Sequence, residues 1–147
     1  MKYPAMEDAQ KFTVAYNLKI KPLCKELGMP QTAFDILMFL ANNPSYHTAR
    51  DIVEIRKIKA NLVSINVEKL VQDGYLTRRR VDGDRRKIGL YLTEKAYPVV
   101  EKGEEAQQEF FNDLIAGMDE SQMESLQGIL VQIVSNLDRM IQEGADS

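Results

Sequence analysis

Residues 74–93 read GYLTRRRVDGDRRKIGLYLT, and this stretch decides the fold. Asp82-Gly83 lies between two runs of strand-forming residues, and glycine supplies the positive φ that a tight hairpin turn requires. The sequence therefore predicts an antiparallel β-hairpin with its turn near residues 81–84. On the return strand every second residue is apolar and is expected to face a core, namely Ile88, Leu90 and Leu92.

The predicted hairpin also carries six cationic side chains, which are Arg78, Arg79, Arg80, Arg85, Arg86 and Lys87. These are too many charges for internal partners, so we expect the hairpin to face the phosphates of a polyanion. A solvated charge run is the alternative interpretation, because most charge runs are of that kind. The helices that precede the hairpin favour the polyanion.

A helix-turn-helix is predicted immediately before the hairpin. Thr48 is a suitable N-cap for a short helix over residues 49–56, and a second helix runs over about residues 59–73 until Gly74 ends it. The residues expected to face inward are Ile52, Val53 and Ile55 in the first helix and Val63, Val67, Leu70 and Val71 in the second. Helix, short turn, helix and basic hairpin is the order of a winged helix-turn-helix.

The outward side of the second helix suits a DNA major groove. Asn61 and Ser64 can donate and accept hydrogen bonds at base edges, and Lys59 can bind phosphate or guanine. Ile65 can contact a thymine methyl group. The hairpin arginines would lie toward the adjacent minor groove, whose negative potential attracts arginine. With about six phosphate contacts per half-site, the expected salt slope is on the order of −5 per half-site.

Two further helices are predicted before this lobe. Residues 6–27 have the apolar spacing of an amphipathic helix, and Pro22 removes one backbone donor, so a kink is expected near residues 19–21. Residues 31–42 predict a second, strongly apolar helix, which Asn43-Pro44 ends.

Two helices are also predicted after the hairpin. Thr93 is expected to cap a long helix that is bent by Pro98 and continues to Ala116. Asp119 and Gln122 have the spacing of a capping box, which predicts the start of the last helix.

The last helix contains an apolar seam whose members are separated by gaps of three and four residues, namely Met123, Leu126, Leu130, Ile133, Leu137 and Met140. Packing within one chain, with the first helix as partner, would satisfy such a seam. However, Ile129, Val134 and Ile141 widen the apolar surface beyond one narrow seam. A dimer is therefore the favoured interpretation.

Composition and charge limit the classes of function. The 147 residues are 44% hydrophobic and 28% charged, which is ordinary for one globular domain. No apolar run approaches the ~18 residues of a membrane span, and the first residues, MKYPAMEDAQKF, lack the apolar core of a signal peptide. We therefore expect a cytoplasmic protein that has no membrane partner. The net charge of −3 conceals a basic region, because residues 50–93 carry +5 and residues 94–147 carry −9.

Few residues could support catalysis or metal binding. His47 is the only histidine and Cys24 the only cysteine, so neither a histidine-based nucleophile relay nor a zinc site of several thiolates can be assembled. The eight glycines are scattered and form no phosphate-binding loop. The carboxylates between Glu101 and Glu109 have the spacing of a solvated helix face. We therefore expect no enzyme activity, no cofactor and no metal.

Cys24 allows two interpretations. It follows Ile20 by four residues and should lie on the same buried side of the first helix, where a thiol behaves as a small, inert apolar group. Alternatively, Lys21 and Lys25 could lower the thiol pKa if the side chain were exposed, and Cys24 would then be a redox sensor.

Residues 48–93 resemble the MarR family of winged-helix transcriptional regulators. Asp84-x-Arg86 followed by Leu90-x-Leu92-Thr93 matches the wing signature of that family, D-x-R-x-x-x-L-x-L-T, and the length and helix order of the chain also fit. The resemblance implies a mainly α fold with a small β-hairpin wing. It divides one domain, residues 1–147, into a winged DNA-binding lobe over residues 45–93 and dimerisation helices over residues 1–28 and 94–147.

The resemblance further implies a homodimer that binds a pseudo-palindromic operator on double-stranded DNA, usually as a repressor released by a small ligand or an oxidant. In the recognition helix it assigns DNA contacts to Lys59, Ala60, Asn61, Ser64 and Ile65. In the wing it assigns them to Arg79, Arg80, Asp84, Arg85, Arg86 and Lys87. Arg86 would enter or border the minor groove, and Asp84 would fix the wing by pairing with a nearby arginine.

Two more sets of residues follow from the resemblance. The dimer interface would include Phe12, Phe110, Leu114, Leu126, Leu130, Ile133 and Leu137. A cleft for a small aromatic or apolar effector would involve Tyr16, Met38, Tyr46 and His47. Family members often begin the recognition helix with Ser or Thr, whereas this chain has Lys59-Ala60. Cys24 does not match the position of the reactive cysteine in the peroxide-sensing branch, which favours release by a ligand over thiol oxidation; a member without an inducer is equally compatible.

Two alternatives from other classes stay open. A winged-helix module could use the basic wing to bind an acidic protein without binding DNA, and it would then show no salt-dependent retention on random duplex DNA. A regulator switched by oxidation of Cys24 would lose its oxidant response on substitution of that residue by serine.

Overall fold

The computed structural model describes residues 6–146. The helices are α1 (Met6–Leu27), α2 (Gln31–Asn42), α3 (Ala49–Arg56), α4 (Ala60–Gln72), α5 (Tyr97–Leu114) and α6 (Glu120–Asp146), and the strands are β1 (Leu76–Val81) and β2 (Asp84–Leu92). The strands pair as one antiparallel hairpin, so the predicted winged-helix fold class is confirmed. Residues 1–5 and residue 147, which belong to the segments expected to dimerise, lie outside the described residues.

The chain divides into two compact units, one up to Phe110 and the other from Phe111 onward. The first unit contains α1–α4, the hairpin and most of α5. The second contains the end of α5 and all of α6. Within the described part of the chain, no helix is both long and apolar enough to cross a membrane.

Helix α2 supplies more residues to the core of the first unit than any other element. Its buried residues are Ala33, Phe34, Ile36, Leu37, Met38, Phe39 and Leu40. The side chains that pack around them come from every other element of the unit, namely Ile20 and Cys24 in α1, Ile52 in α3, Val63, Val67 and Leu70 in α4, Leu76 and Leu90 in the hairpin, and Val99 and Val100 in α5. Helix α1 and the start of α5 therefore share one core with the helix-turn-helix.

The turn between α1 and α2 and the start of α3 follow local sequence signals. Gly28 adopts φ 68° after α1. Thr48 caps α3 as predicted, because its Oγ1 accepts from the Asp51 N–H and an Asp51 carboxylate oxygen accepts from the Thr48 N–H, both at 3.1 Å. Partial burial acts to raise the pKa of Asp51, but the hydrogen bonds from Thr48 and His47 hold that pKa below its ordinary value.

Helix α3 buries less than the sequence predicted. Ile52 is fully buried and Val53 is half-buried, but Ile55 is exposed, so its predicted inward orientation is wrong. The helix has only two turns, and the side that it buries is centred on Ile52. Lys57 then adopts φ 56°, which turns the chain toward α4.

The predicted start of the long helix after the hairpin is also wrong. The Thr93 hydroxyl donates to the backbone oxygen of Gly74 and makes no capping hydrogen bond. A single 3₁₀ turn over Glu94–Ala96 follows, and α5 begins at Tyr97. Pro98 consequently lies in the first turn of α5, where a missing N–H costs nothing because that N–H has no helical partner.

The second unit contains the predicted capping box. The Asp119 N–H donates to Gln122 Oε1 at 2.9 Å, and the Gln122 N–H donates to Asp119 Oδ1 at 2.8 Å, so the predicted start of α6 is confirmed. Helix α6 has no buried residue along Glu120–Asp146. Its apolar seam is therefore largely exposed to solvent in the single chain.

Candidate nucleic-acid interface

Helix α4 presents a polar and apolar row to solvent. Val63, Val67 and Leu70 are buried on one side, which leaves the predicted recognition residues on the other. The exposed residues are Lys59, Asn61, Ser64 and Ile65, as the periodicity predicted, and Ala60, which the resemblance added. Ile65 is 64% exposed, so its side chain is available to contact another molecule.

The start of α4 has no side-chain cap. Lys59 occupies the N-cap position and makes no capping hydrogen bond. The first backbone N–H groups of α4 thus find no acceptor in the side chain of this residue, and a cationic residue occupies the position before the positive end of the helix dipole. Both features favour an anion at this end of the helix.

The hairpin, which we call the wing, turns at the predicted place. Asp82 and Gly83 connect the strands, and Gly83 adopts φ 85°. The strands pair Leu76 with Leu92, Arg78 with Leu90, Arg79 with Gly89 and Arg80 with Ile88, and an irregularity in register lies between Arg80 and Val81.

One predicted core residue of the wing is exposed. Leu90 is buried and Leu92 half-buried, but Ile88 is 50% exposed, so its predicted contact with the core is wrong. Ile88 pairs with Arg80 close to the turn. The core covers only the base of the wing, and the end near the turn extends into solvent.

Arg78 has an internal partner, contrary to the expectation for the six cations. Cross-strand partners share one face of a sheet, so Arg78 lies on the same face as Leu90 and is directed toward α4. Its Nη2 lies 2.8 Å from Glu68 Oε2 of that helix. The pair links α4 to β1, and as an exposed ion pair it contributes little to stability.

The wing turn is held by hydrogen bonds from its own charged residues. Arg80 donates through Nη1 to the backbone oxygen of Arg85. Asp84 Oδ1 accepts from the Arg86 N–H at 3.0 Å and lies 3.7 Å from Arg86 Nε. Asp84 thus pairs with a nearby arginine, as the resemblance implied. The Arg86 side chain is 95% exposed, so its guanidinium can still contact a phosphate.

Two residues of the wing, Gly89 and Tyr91, were not singled out from the sequence. The Arg79 Cζ lies 3.8 Å from the centroid of the Tyr91 ring, and the His47 ring stacks on Tyr91 with centroids 5.1 Å apart. Gly89 lies under the same ring. A tyrosine two residues beyond a glycine in a basic strand was the available signal, because aromatic rings often cover glycine in sheets.

The four residues predicted to form an effector cleft lie in separate surroundings. Tyr16 Oη accepts from Gln107 Nε2 at 2.9 Å, Tyr46 stacks on Phe39, and His47 stacks on Tyr91. Met38 is buried in the core, where its Sδ and Cε lie against Gly103 of α5. Burial raises the pKa of Tyr16, although the hydrogen bond from Gln107 acts in the opposite direction.

The predicted dimer residues differ in exposure. Phe110 is buried, with the rings of Phe12 and Tyr16 edge-on to it at 5.2 Å. Phe12 is itself more than half exposed. The exposed or half-exposed members in the second unit are Leu114, Leu126, Leu130, Ile133 and Leu137.

Cys24 is buried, with 6% of its surface exposed. Burial raises the pKa of its thiol to about 11, and the negative charge of Asp35 adds to this effect. The predicted lowering by Lys21 and Lys25 would require an exposed thiol, which the structure does not have. Thiolate is the reactive form, so this environment opposes the redox-sensor interpretation.

We therefore expect slow alkylation of Cys24 in the folded protein. At pH 8 the fraction of Cys24 that is present as thiolate is about a hundredfold or more lower at a pKa of about 11 than at the ordinary pKa of cysteine in an unfolded chain. Iodoacetamide labelling followed by mass spectrometry should show this ratio between native and urea-unfolded protein, and Cys24→Ser serves as the blank. Equal rates in the two states would show that the thiol is accessible and would restore the redox-sensor interpretation.

Comparisons with known proteins agree with this geometry. The sequence model described as MarR family matches residues 27–87, which contain the helix-turn-helix and most of the wing. The transcriptional regulator PecS of Dickeya dadantii (strain 3937) is 26% identical over 106 residues, or 71% of this chain and 64% of PecS. The transcriptional repressor MprA of Escherichia coli (strain K12) is 27% identical over 124 residues, or 83% of this chain and 70% of MprA. These relatives are named as regulators, not enzymes.

Solved structures share the whole fold. The crystal structure of transcriptional regulator PA3341 superposes with a TM-score of 0.75 at 26% identity and covers 89% of this chain and 95% of that chain. A MarR family regulator from Listeria monocytogenes, crystallised with a 26mer DNA, superposes with a TM-score of 0.76 at 18% identity and covers 92% of this chain and 90% of that chain. Over residues 27–87, and in the fold of these solved structures, the chain is therefore similar to the MarR family of transcriptional regulators.

Proposed function

We propose that the protein is a sequence-specific, homodimeric DNA-binding transcriptional regulator that acts as a repressor in the cytoplasm. The observation that carries the proposal is the shared exposure of the α4 row and the wing cations on one winged lobe. Asn61 and Ser64 would hydrogen-bond to base edges, and Ile65 would contact a thymine methyl group. The wing arginines would contact the backbone beside the minor groove.

The charges and the relatives support DNA as the partner. The residues from Arg50 to Thr93 carry +5 in a chain whose net charge is −3, so the basic character is confined to the lobe that carries α4 and the wing. A relative with the same fold was crystallised with DNA, and two relatives are named as a regulator and a repressor. The alternative interaction module would use the same charges on an acidic protein.

The dimer and the effector form the finer part of the proposal. The exposed apolar seam of α6 supports a second copy as its partner, because a contiguous apolar stripe of this length is rare on a monomer surface. We propose release by a small aromatic or apolar ligand that contacts Tyr16, Tyr46 or His47. Tyr46 supports this proposal because it lies between α2 and α3 and is 42% exposed.

Gel shift across a salt series tests the DNA-binding function. The probes are the promoter region upstream of the protein's own gene and a random duplex of equal length. We expect tighter binding to the promoter, saturating at two chains per site, with a slope near −5 per half-site in a plot of log K against log salt, as about six phosphate contacts require. No retention on either duplex at low salt would overturn the proposal and favour the protein-interaction module.

A further inference from the structure

Four residues at the base of the wing form an arrangement that we call the Tyr91 stack, which consists of Arg79, Gly89, Tyr91 and His47. The Arg79 Cζ lies 3.8 Å from the Tyr91 ring centroid, which is contact distance for a guanidinium face on an aromatic ring. The His47 ring lies 5.1 Å from the same ring, at an interplanar angle of 25°. The stack lies on the face of the hairpin opposite Leu90.

Gly89 makes room for this arrangement. The register pairs Arg79 with Gly89, so the Tyr91 ring must pass over Gly89 to reach the guanidinium on the other strand. A Cβ at Gly89 would lie 2.6 Å from Tyr91 Cε2 and 2.8 Å from Tyr91 Oη. No side chain larger than hydrogen can therefore occupy position 89 while the ring remains in this position.

His47 gives the ring a fixed support. Its backbone oxygen accepts from the Leu90 N–H at 2.6 Å, and its backbone N–H donates to Asp51 Oδ2 at 3.2 Å. These bonds join the segment before α3 to β2 on one side and to the capping box of α3 on the other. The His47 ring is therefore held between the helix-turn-helix and the wing.

We propose that Tyr91 is a positioning residue that holds the Arg79 guanidinium ready to contact a DNA phosphate. A guanidinium that stacks by its face keeps its in-plane N–H donors available for a phosphate. The ring also restricts the rotamers of a long side chain before DNA binds, so less conformational freedom is lost in the complex. The inference rests on the proposed DNA-binding function, because Arg79 has no phosphate to contact otherwise.

A double-mutant cycle on the full-length protein tests the inference. Arg79→Ala, Tyr91→Leu and the double variant are compared for binding to a random duplex of about three helical turns, ~30 base pairs. Each single variant should bind about fivefold more weakly per half-site, because Arg79→Ala removes the phosphate contact and Tyr91→Leu leaves the arginine side chain to be ordered on binding, and the double variant should bind no more weakly than Arg79→Ala. Tyr91→Phe keeps the ring and should bind like the wild type.

Two further measurements separate positioning from general stability. Gly89→Ala should displace the ring and weaken binding as Tyr91→Leu does, although alanine is the better strand residue. In the wild type the Arg79 side-chain protons should show an upfield ring-current shift in NMR spectra that Tyr91→Phe keeps and Tyr91→Leu loses. If the affinity losses of the two single variants multiply in the double variant, the positioning role is overturned. Binding by Tyr91→Leu that is as tight as that of the wild type would also overturn it. Neither result would affect the proposed function. Failure of the wild type to bind any duplex would instead overturn the proposed function, and with it any role for Tyr91 in DNA binding.

Discussion

Replacing Arg85 and Arg86 together with alanine is expected to weaken operator binding about a hundredfold for a dimer, or about tenfold per half-site. Both side chains are exposed and follow the wing turn, and Arg86 is held in place through its backbone by Asp84. Each lost phosphate contact should reduce the salt slope by about 0.9, so a dimer that loses four contacts should show a slope smaller by about four.

A matched control removes the same charge elsewhere. Lys21→Ala with Lys25→Ala also lowers the net charge by two per chain, at exposed positions of α1. If the wing contacts DNA directly, this control should bind nearly as the wild type does, and both variants should unfold within about 0.5 kcal/mol of it. Equal losses from the two pairs would mean that net charge alone controls affinity, and unchanged binding by the wing variant would exclude the wing from the interface.

Local signals in the sequence predicted the elements of the fold well. Asp82-Gly83, Gly74, Thr48 and the Asp119-Gln122 pair each determine the backbone within a few residues of themselves, by a positive φ or by a side-chain cap. Such signals depend little on the rest of the chain. The turn of the hairpin, the starts of α3 and α6, the end of α4 before Gly74 and the exposed row of α4 were therefore predicted correctly.

Contacts between elements that are distant in the chain determined the side-chain environments that the sequence did not predict. Thr93 has the chemistry of a cap, but its hydroxyl instead bonds to the Gly74 oxygen, nineteen residues earlier in the chain. In the sequence Arg78 cannot be distinguished from the other five cations of the wing, whereas the strand register places it next to Glu68. Ile88 has the spacing of a buried strand residue, but the core does not extend as far along the strand as Ile88. None of these outcomes can be derived from spacing within one element.

The candidate site shows the same limit. Periodicity identified the cations of the wing, but it could not show that Tyr91 of β2 meets Arg79 of β1 and His47 before α3. The resemblance assigned Met38 to an effector cleft, and the structure places this residue in the core against Gly103. Apolar spacing alone cannot distinguish a core residue from a pocket residue.

Replacing Leu130 and Leu137 with glutamate should convert the proposed dimer into a monomer and weaken operator binding by a hundredfold or more. These leucines are 46% and 48% exposed in the single chain and lie two turns apart on the seam of α6. A two-fold interface would bury four carboxylates, and each unpaired buried charge costs several kcal/mol. Loss of the dimer also removes the second, linked half-site, which accounts for the fall in affinity.

Sedimentation or light scattering measures the change directly, because the wild type should have about twice the 16.8 kDa mass of one chain and the variant that mass itself. Ser125→Glu with Gln132→Glu adds the same charge to exposed positions of α6 outside the seam, and this control should stay dimeric. Glutamate is a good helix former, so circular dichroism should show α6 intact in both variants. A seam variant that remained a dimer would show that other surfaces hold the two copies together, whereas a monomer that still bound the operator tightly would show that one winged lobe is sufficient for recognition.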